Sequence, residues 1–273
     1  MKLRGVLGWV GLAAGLAACA GPTQRPDPTL ADRVPAEWPH PLTAPATSAP
    51  QGMVVTDAPI ASKVGADILR AGGNAVDAAV ATAFALAVVY PEAGNIGGGG
   101  FLVLRQADGT TAALDFRETA PAASTRDMFL DENGELTDRS VVGHLASGVP
   151  GAVAGLWEAH QKFGTLPWAE LVAPAIRLAG EGFIVDEDLA GSVVDARRLL
   201  ERFPASAELF LPGGEPIQAG QTWRNPDLAK VLRRIAEEGP DGFYRGETAD
   251  LIVAEMERGG GIITHEDLRD YRA

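Results

Sequence analysis

Cysteine is almost absent: Cys19 is the only one in 273 residues. An internal disulfide is therefore excluded, and so is any site built from two thiolates. Positive charge is in short supply. The chain carries 23 Lys and Arg against 36 Asp and Glu, a net charge of -13. That balance argues against a nucleic-acid partner, whose phosphates it would repel. Histidine is sparse and scattered, at positions 40, 144, 160 and 265. The N-terminal apolar run, Val6 to Ala18, is 13 residues, short of the roughly 20 that span a bilayer as a helix.

What is present is a globular composition, 46% hydrophobic and 22% charged, with 33 glycines and 19 prolines that imply frequent turns. The N-terminus reads as a targeting segment, with Lys2 and Arg4 ahead of the apolar run. That run ends in Leu16-Ala17-Ala18-Cys19, which resembles the bacterial lipobox. Lipidation of Cys19 accounts for a lone thiol that would otherwise be a liability in an oxidising compartment. Ala20, rather than Asp, follows it. By resemblance to known sorting rules this implies the periplasmic side of the envelope and an outer-membrane anchor. Ala20 to Pro50 holds eight prolines and little hydrophobic periodicity, the pattern of an extended tether. The expected organisation is a signal peptide over 1–18, a tether over 19–50 and a folded region over 51–273.

The folded region is expected to open with a short strand, Met53–Thr56, then a helix capped by Asp57 with Pro59 in its first turn. Gly72-Gly73 ends that helix. Asn74 caps the next, with Asp77 placed for a capping box. From Ala75 to Val89 only Asp77 and Thr82 are polar, so this helix belongs in a protein interior. Phe101–Arg105 and Thr111–Arg117 read as paired strands turning at Asp108-Gly109. Further helices are expected at Val153–His160, Trp168–Leu178, Asp186–Leu200, Pro226–Glu238 and Gly246–Arg258, and after Thr264.

Gly97 to Gly100 invites a nucleotide-binding reading. A dinucleotide fingerprint needs a strand before the glycines and a helix after them. Here the order is helix, glycines, strand, and no Gly-Lys-Ser/Thr follows. The glycines instead permit sharp turning and close approach by another segment or a substrate. His265-Glu266-Asp267-Leu268-Arg269 opens like a zinc-protease motif, but Arg269 occupies the second histidine's position, so no metal site is expected. Ser147 lies near His144 but lacks the Gly-x-Ser-x-Gly elbow. Arg117 is the charged residue to single out. At a strand end beside a buried helix, its guanidinium could grip a carboxylate through two parallel hydrogen bonds. The pattern alone favours an internal ion pair with Asp115 or Glu118 over that role. Nothing calls for a cofactor.

Seven segments, in order, resemble the γ-glutamyltranspeptidase (glutathione hydrolase) family. They are Gly72–Ala79, Gly97–Phe101, Asp115–Pro121, Gly148–Gly151, Phe163–Trp168, Pro174–Ile176 and Gly242–Tyr244. The resemblance implies an α+β fold, the αββα sandwich of N-terminal-nucleophile hydrolases, incomplete in this chain. It implies a precursor that cuts itself into two subunits, exposing a threonine whose own amine serves as base. That threonine attacks a γ-glutamyl amide, and the acyl group passes to water or an amino acid. The family's arginine matching Arg117 binds the substrate's α-carboxylate. Asp57 stands where relatives often carry a histidine. No Thr-Thr-His-Phe-like segment is present; Thr110-Thr111 is followed by Ala112. The chain is thus expected to match the front of the large subunit, to contain no catalytic residue and to be inactive alone. Its expected partners are glutathione or another γ-glutamyl substrate, and a small subunit carrying the threonine. A cephalosporin acylase-like amidase and a truncated, non-catalytic lipoprotein are the competing readings.

Overall fold

The computed structural model describes residues 47–273, of which Ala49–Ala273 forms one unit. Cys19 and the apolar run lie outside the described residues, as does the proline-rich stretch up to residue 46.

Helices α1 (Pro59–Arg70) and α2 (Ala75–Val89) pack against each other. On α1, Ala61, Gly65 and Ile68 share the buried face, as their three- and four-residue spacing requires. Asp57 does not cap this helix: Ala58 is the N-cap and no side chain accepts from the first turn. The Thr56 hydroxyl does the local work instead, taking the Ala58 N–H at 3.2 Å and meeting the Ser62 hydroxyl at 2.8 Å. The expected strand at Met53–Thr56 has no ladder partner among the described residues. A strand exists only through a ladder partner, and Val55 is left 79% exposed.

α2 is the buried centre, and it starts as its sequence dictates. The Asn74 side chain accepts from the N–H groups of Val76 and Asp77, while Asp77 accepts from the Asn74 N–H, closing the capping box. Phe84 packs edge-on against Trp168, ring centres 5.4 Å apart, and Trp157 meets Trp168 at 5.0 Å. Trp168 opens α4 (Trp168–Glu181), and its indole N–H reaches the Ile235 carbonyl at 2.8 Å on α7 (Pro226–Glu238). With α3 (Ala152–Phe163), these helices make a layer whose apolar stripes bury one another.

The glycine segment leads into β1 (Phe101–Arg105), which pairs antiparallel with β2 (Thr111–Asp115). Gly109 takes φ 91° at the hairpin turn. β2 ends two residues earlier than expected. Phe116 still exchanges both hydrogen bonds with Gly100, but the Arg117 N–H turns to the Asp115 carboxylate at 3.0 Å and leaves the ladder.

Several short elements went unforeseen. β3 (Phe183–Ile184) pairs with β4 (Thr222–Trp223), and α6 (Pro204–Phe210) follows α5 (Glu187–Leu200). α8 (Asp241–Tyr244) precedes α9 (Gly246–Gly259) and α10 (His265–Asp270). No helix among the described residues is long and apolar enough to cross a membrane.

Candidate functional site

The site forms where the glycine segment, the end of β2 and the turn at 143–148 converge. A cavity of about 660 Å³ opens there, walled by Asn95, Gly97, Gly98, Arg117, Glu118, Ser124 and Ser147 among others. Gly99 explains why glycine is required. A Cβ on it would strike the carbonyl oxygen of Phe116 and the backbone of Arg117 and Glu118. The glycines thus let two backbones run in contact and bring the cavity wall up to Arg117. The order helix, glycines, strand holds in the structure, as the sequence reading requires.

Arg117 sits at the cavity's edge with its side chain 62% exposed. Its Nε donates to Glu118 Oε2 at 3.0 Å, so the ion pair anticipated as the alternative exists. It uses one edge of the guanidinium only. Nη1 and Nη2 have no hydrogen-bond partner among the described residues, which leaves two donors in fixed geometry for an incoming carboxylate. The guanidinium carbon stands 5.9 Å from the centre of the Phe101 ring, a further orienting contact. Asp115 serves the backbone of Arg117 rather than its charge.

The backbone under Arg117 is pinned on both sides. Phe116 is tied to Gly100; Thr119 and Val149 exchange N–H···O bonds at 3.3 and 2.8 Å. The N–H groups of Gly151 and Ala152 both donate to the Gly98 carbonyl, at 2.8 and 2.9 Å. Gly148-Val149-Pro150-Gly151 is therefore the strap that fastens the glycine segment to the start of α3. Downstream, the Ala122 N–H donates to Asp267 at 2.7 Å. Burial alone would raise the Asp267 pKa, but that bond and those from Thr264 outweigh it and hold the carboxyl below its usual range.

His144 and Ser147 do not form a catalytic pair. His144 Nε2 bonds to Glu255 at 2.7 Å, and Nδ1 faces Gly259, so both ring nitrogens are turned to α9. His265 pairs with Asp250 at 2.9 Å. Thr110-Thr111 lies in the hairpin, where the Thr110 carbonyl accepts from Gln106 and Thr111 pairs with Arg105. Sequence reasoning missed Asp267 as an anchor, and it missed Tyr271. Both act across about 150 residues of chain, a separation that no local pattern reports.

Comparison with known proteins identifies the family. The profile described as Gamma-glutamyltranspeptidase matches residues 61–273. The Glutathione hydrolase proenzyme of Pseudomonas aeruginosa is 52% identical over 222 residues, 81% of this chain and 39% of the relative. The crystal structure of Helicobacter pylori gamma-glutamyltranspeptidase superposes with a TM-score of 0.81 at 44% identity, covering 84% of this chain and 66% of that one. Cephalosporin acylase from Bacillus halodurans is similar at TM-score 0.76 and 36% identity, covering 88% of this chain and 45% of that one. The chain spans about two fifths of the length of the curated relatives it matches. The fold is that of the N-terminal-nucleophile hydrolases, and the chain belongs to the γ-glutamyltranspeptidase family.

Proposed function

We propose that this chain supplies the carboxylate-gripping part of an enzyme that transfers or hydrolyses the γ-glutamyl group of glutathione and related compounds. The observation that carries the reading is Arg117, held at its Nε by Glu118 with both Nη groups unpaired among the described residues, at the rim of a glycine-walled cavity. Binding the α-carboxylate there fixes one end of the γ-glutamyl group and so presents the distal amide carbonyl to a nucleophile. The nucleophile is a threonine at the start of a small subunit contributed by another part of the precursor, with its own amine as base. The acyl-enzyme then passes its γ-glutamyl group to water or an amino acid.

The test is an assay of the complete two-subunit protein with a γ-glutamyl anilide, wild type and Arg117→Ala. Saturable turnover with KM raised in the variant supports the reading. Absence of turnover, or an unchanged KM, rejects it. The similarity to cephalosporin acylase favours one second reading, an amidase for a different acyl group. Faster turnover of an amide whose acyl group lacks an α-carboxylate is the outcome that selects it.

The N-terminal features complete the proposal. Residues 1–18 act as a lipoprotein signal peptide, Cys19 takes the lipid, and 19–50 tether the enzyme on the periplasmic side of the outer membrane. The support is the Leu16-Ala17-Ala18-Cys19 sequence, the Ala20 that follows and the eight prolines beyond it. Cys19→Ala is expected to move the protein from the membrane fraction to the soluble fraction; unchanged fractionation rejects the anchor.

A further inference from the structure

The hydroxyl of Tyr271 donates to the carbonyl oxygen of Arg117 at 2.8 Å, across 154 residues of chain. Tyr271 follows α10 and is buried. Its ring stacks on Tyr244, centres 5.9 Å apart and planes 2° from parallel. Tyr244 in turn donates to the Pro150 carbonyl at 2.8 Å and accepts from the Ala154 N–H at 3.3 Å. A Cβ on Gly151 would strike both the Tyr271 hydroxyl and the Phe116 carbonyl, so the ring is inserted where only glycine allows. We propose that Tyr271 is a positioning residue for substrate binding, setting the backbone of Arg117 so that its guanidinium meets the substrate carboxylate in register.

The neighbouring bonds make this specific. The Phe116 N–H and C=O are held by Gly100, the Arg117 N–H by Asp115, and Thr119 by Val149. The Arg117 carbonyl is the one acceptor at the bend that a distant side chain fills. Without it the peptide between Arg117 and Glu118 can rotate, and that peptide joins the two residues of the Arg117–Glu118 ion pair. Burial, then the carboxylates of Asp115 and Glu118, push the Tyr271 pKa upward. The hydroxyl therefore keeps its proton and remains a donor.

The proposal rests on Arg117 being the substrate's carboxylate anchor, and the experiment separates the two ideas. Tyr271→Phe keeps the ring and its stack and removes the hydroxyl alone. In the complete two-subunit enzyme it is expected to raise KM for a γ-glutamyl anilide roughly three- to tenfold, the worth of one hydrogen bond, with kcat within about twofold. Amide hydrogen exchange at 116–119 is expected to quicken in the variant, with the protection of α2 unchanged. An unchanged KM with unchanged exchange at 116–119 overturns the proposal. A fall in melting temperature with KM intact also overturns it, because the role is then structural. If the wild-type enzyme fails to turn over the anilide, the proposed function is what falls. The exchange at 116–119 still decides whether Tyr271 sets that backbone.

Discussion

Arg117 concentrates the functional argument in one side chain. It combines a satisfied Nε with two open Nη groups, and only arginine offers that division of donors; lysine presents a single point charge. Arg117→Lys in the complete enzyme is therefore expected to resemble Arg117→Ala in KM more than wild type. Arg117→Ala should cost about 2 kcal/mol of substrate binding, roughly thirtyfold in KM, measured by steady-state kinetics. The lower end of the range for a buried charge pair is appropriate because the side chain is 62% exposed in this chain. Sequence marked Arg117 as a residue to single out because a guanidinium at a strand end beside a buried helix could grip a carboxylate. The pattern alone could not choose between ion pair and ligand. The two readings need not compete: Glu118 takes the Nε alone, and the proposed ligand would use the Nη groups. Tyr271 was illegible for a different reason. A tyrosine after a short helix has no local signature, and its contact with Arg117 exists only once the segment after α10 reaches the segment after β2.

At the scale of elements, the join between α2 and the segment after α3 carries a clear electrostatic prediction. Asp77 is fully buried. It accepts from the Asn74 N–H at 2.9 Å, the Thr165 N–H at 2.9 Å, the Thr165 hydroxyl at 2.6 Å and the Leu166 N–H at 3.3 Å. Burial pushes its pKa up, but those bonds to the charged form outweigh burial and hold it below the ordinary aspartate value. A carboxyl lowered on folding stabilises the fold fully above its unfolded pKa, near 4, and loses that contribution as pH falls through the lower folded value. Asp77→Ala strands several donors and should destabilise by about 3 kcal/mol in denaturant melts. Asp77→Asn should flatten the fall in melting temperature below about pH 4, an outcome readable by a pH series. Thr82 is the opposite case. Its hydroxyl is buried on α2 with no partner among the described residues, facing Gly65 on α1. Thr82→Val should stabilise by about 1 kcal/mol. The capping box, the buried helix and the hairpin were all legible because each is written in adjacent residues. The pairing of β3 with β4 was not, since two-residue strands joined across almost 40 residues leave no period to detect.

At the scale of the whole molecule, the proposed function divides binding from chemistry. The described residues hold the proposed anchor and the cavity beside it, and Thr110-Thr111 is built into a hairpin with no free amine. The 273-residue chain purified alone is expected to show no turnover of a γ-glutamyl anilide; clear saturable turnover would overturn the division. The exposed hairpin has a physical cost. The two sheets among the described residues have two strands each, and an isolated hairpin is marginal without a third strand or a covering layer. Phe101 and Val103 project from β1 at 65% and 86% exposure, and the exposed Val55 has no ladder partner among the described residues. These are the features of a sandwich layer awaiting its opposite face: apolar side chains on one side and unpaired strand edges at the rim. Residues 51–273 expressed alone should therefore be poorly soluble, or self-associate through the hairpin. Phe101→Lys with Val103→Lys should relieve this without touching the α2 core. Expression together with the remainder of the precursor should yield a soluble, cooperatively melting enzyme. A monomeric product of 51–273 that melts cooperatively by itself contradicts the argument, because the helical layer around α2 would then be sufficient to support the hairpin.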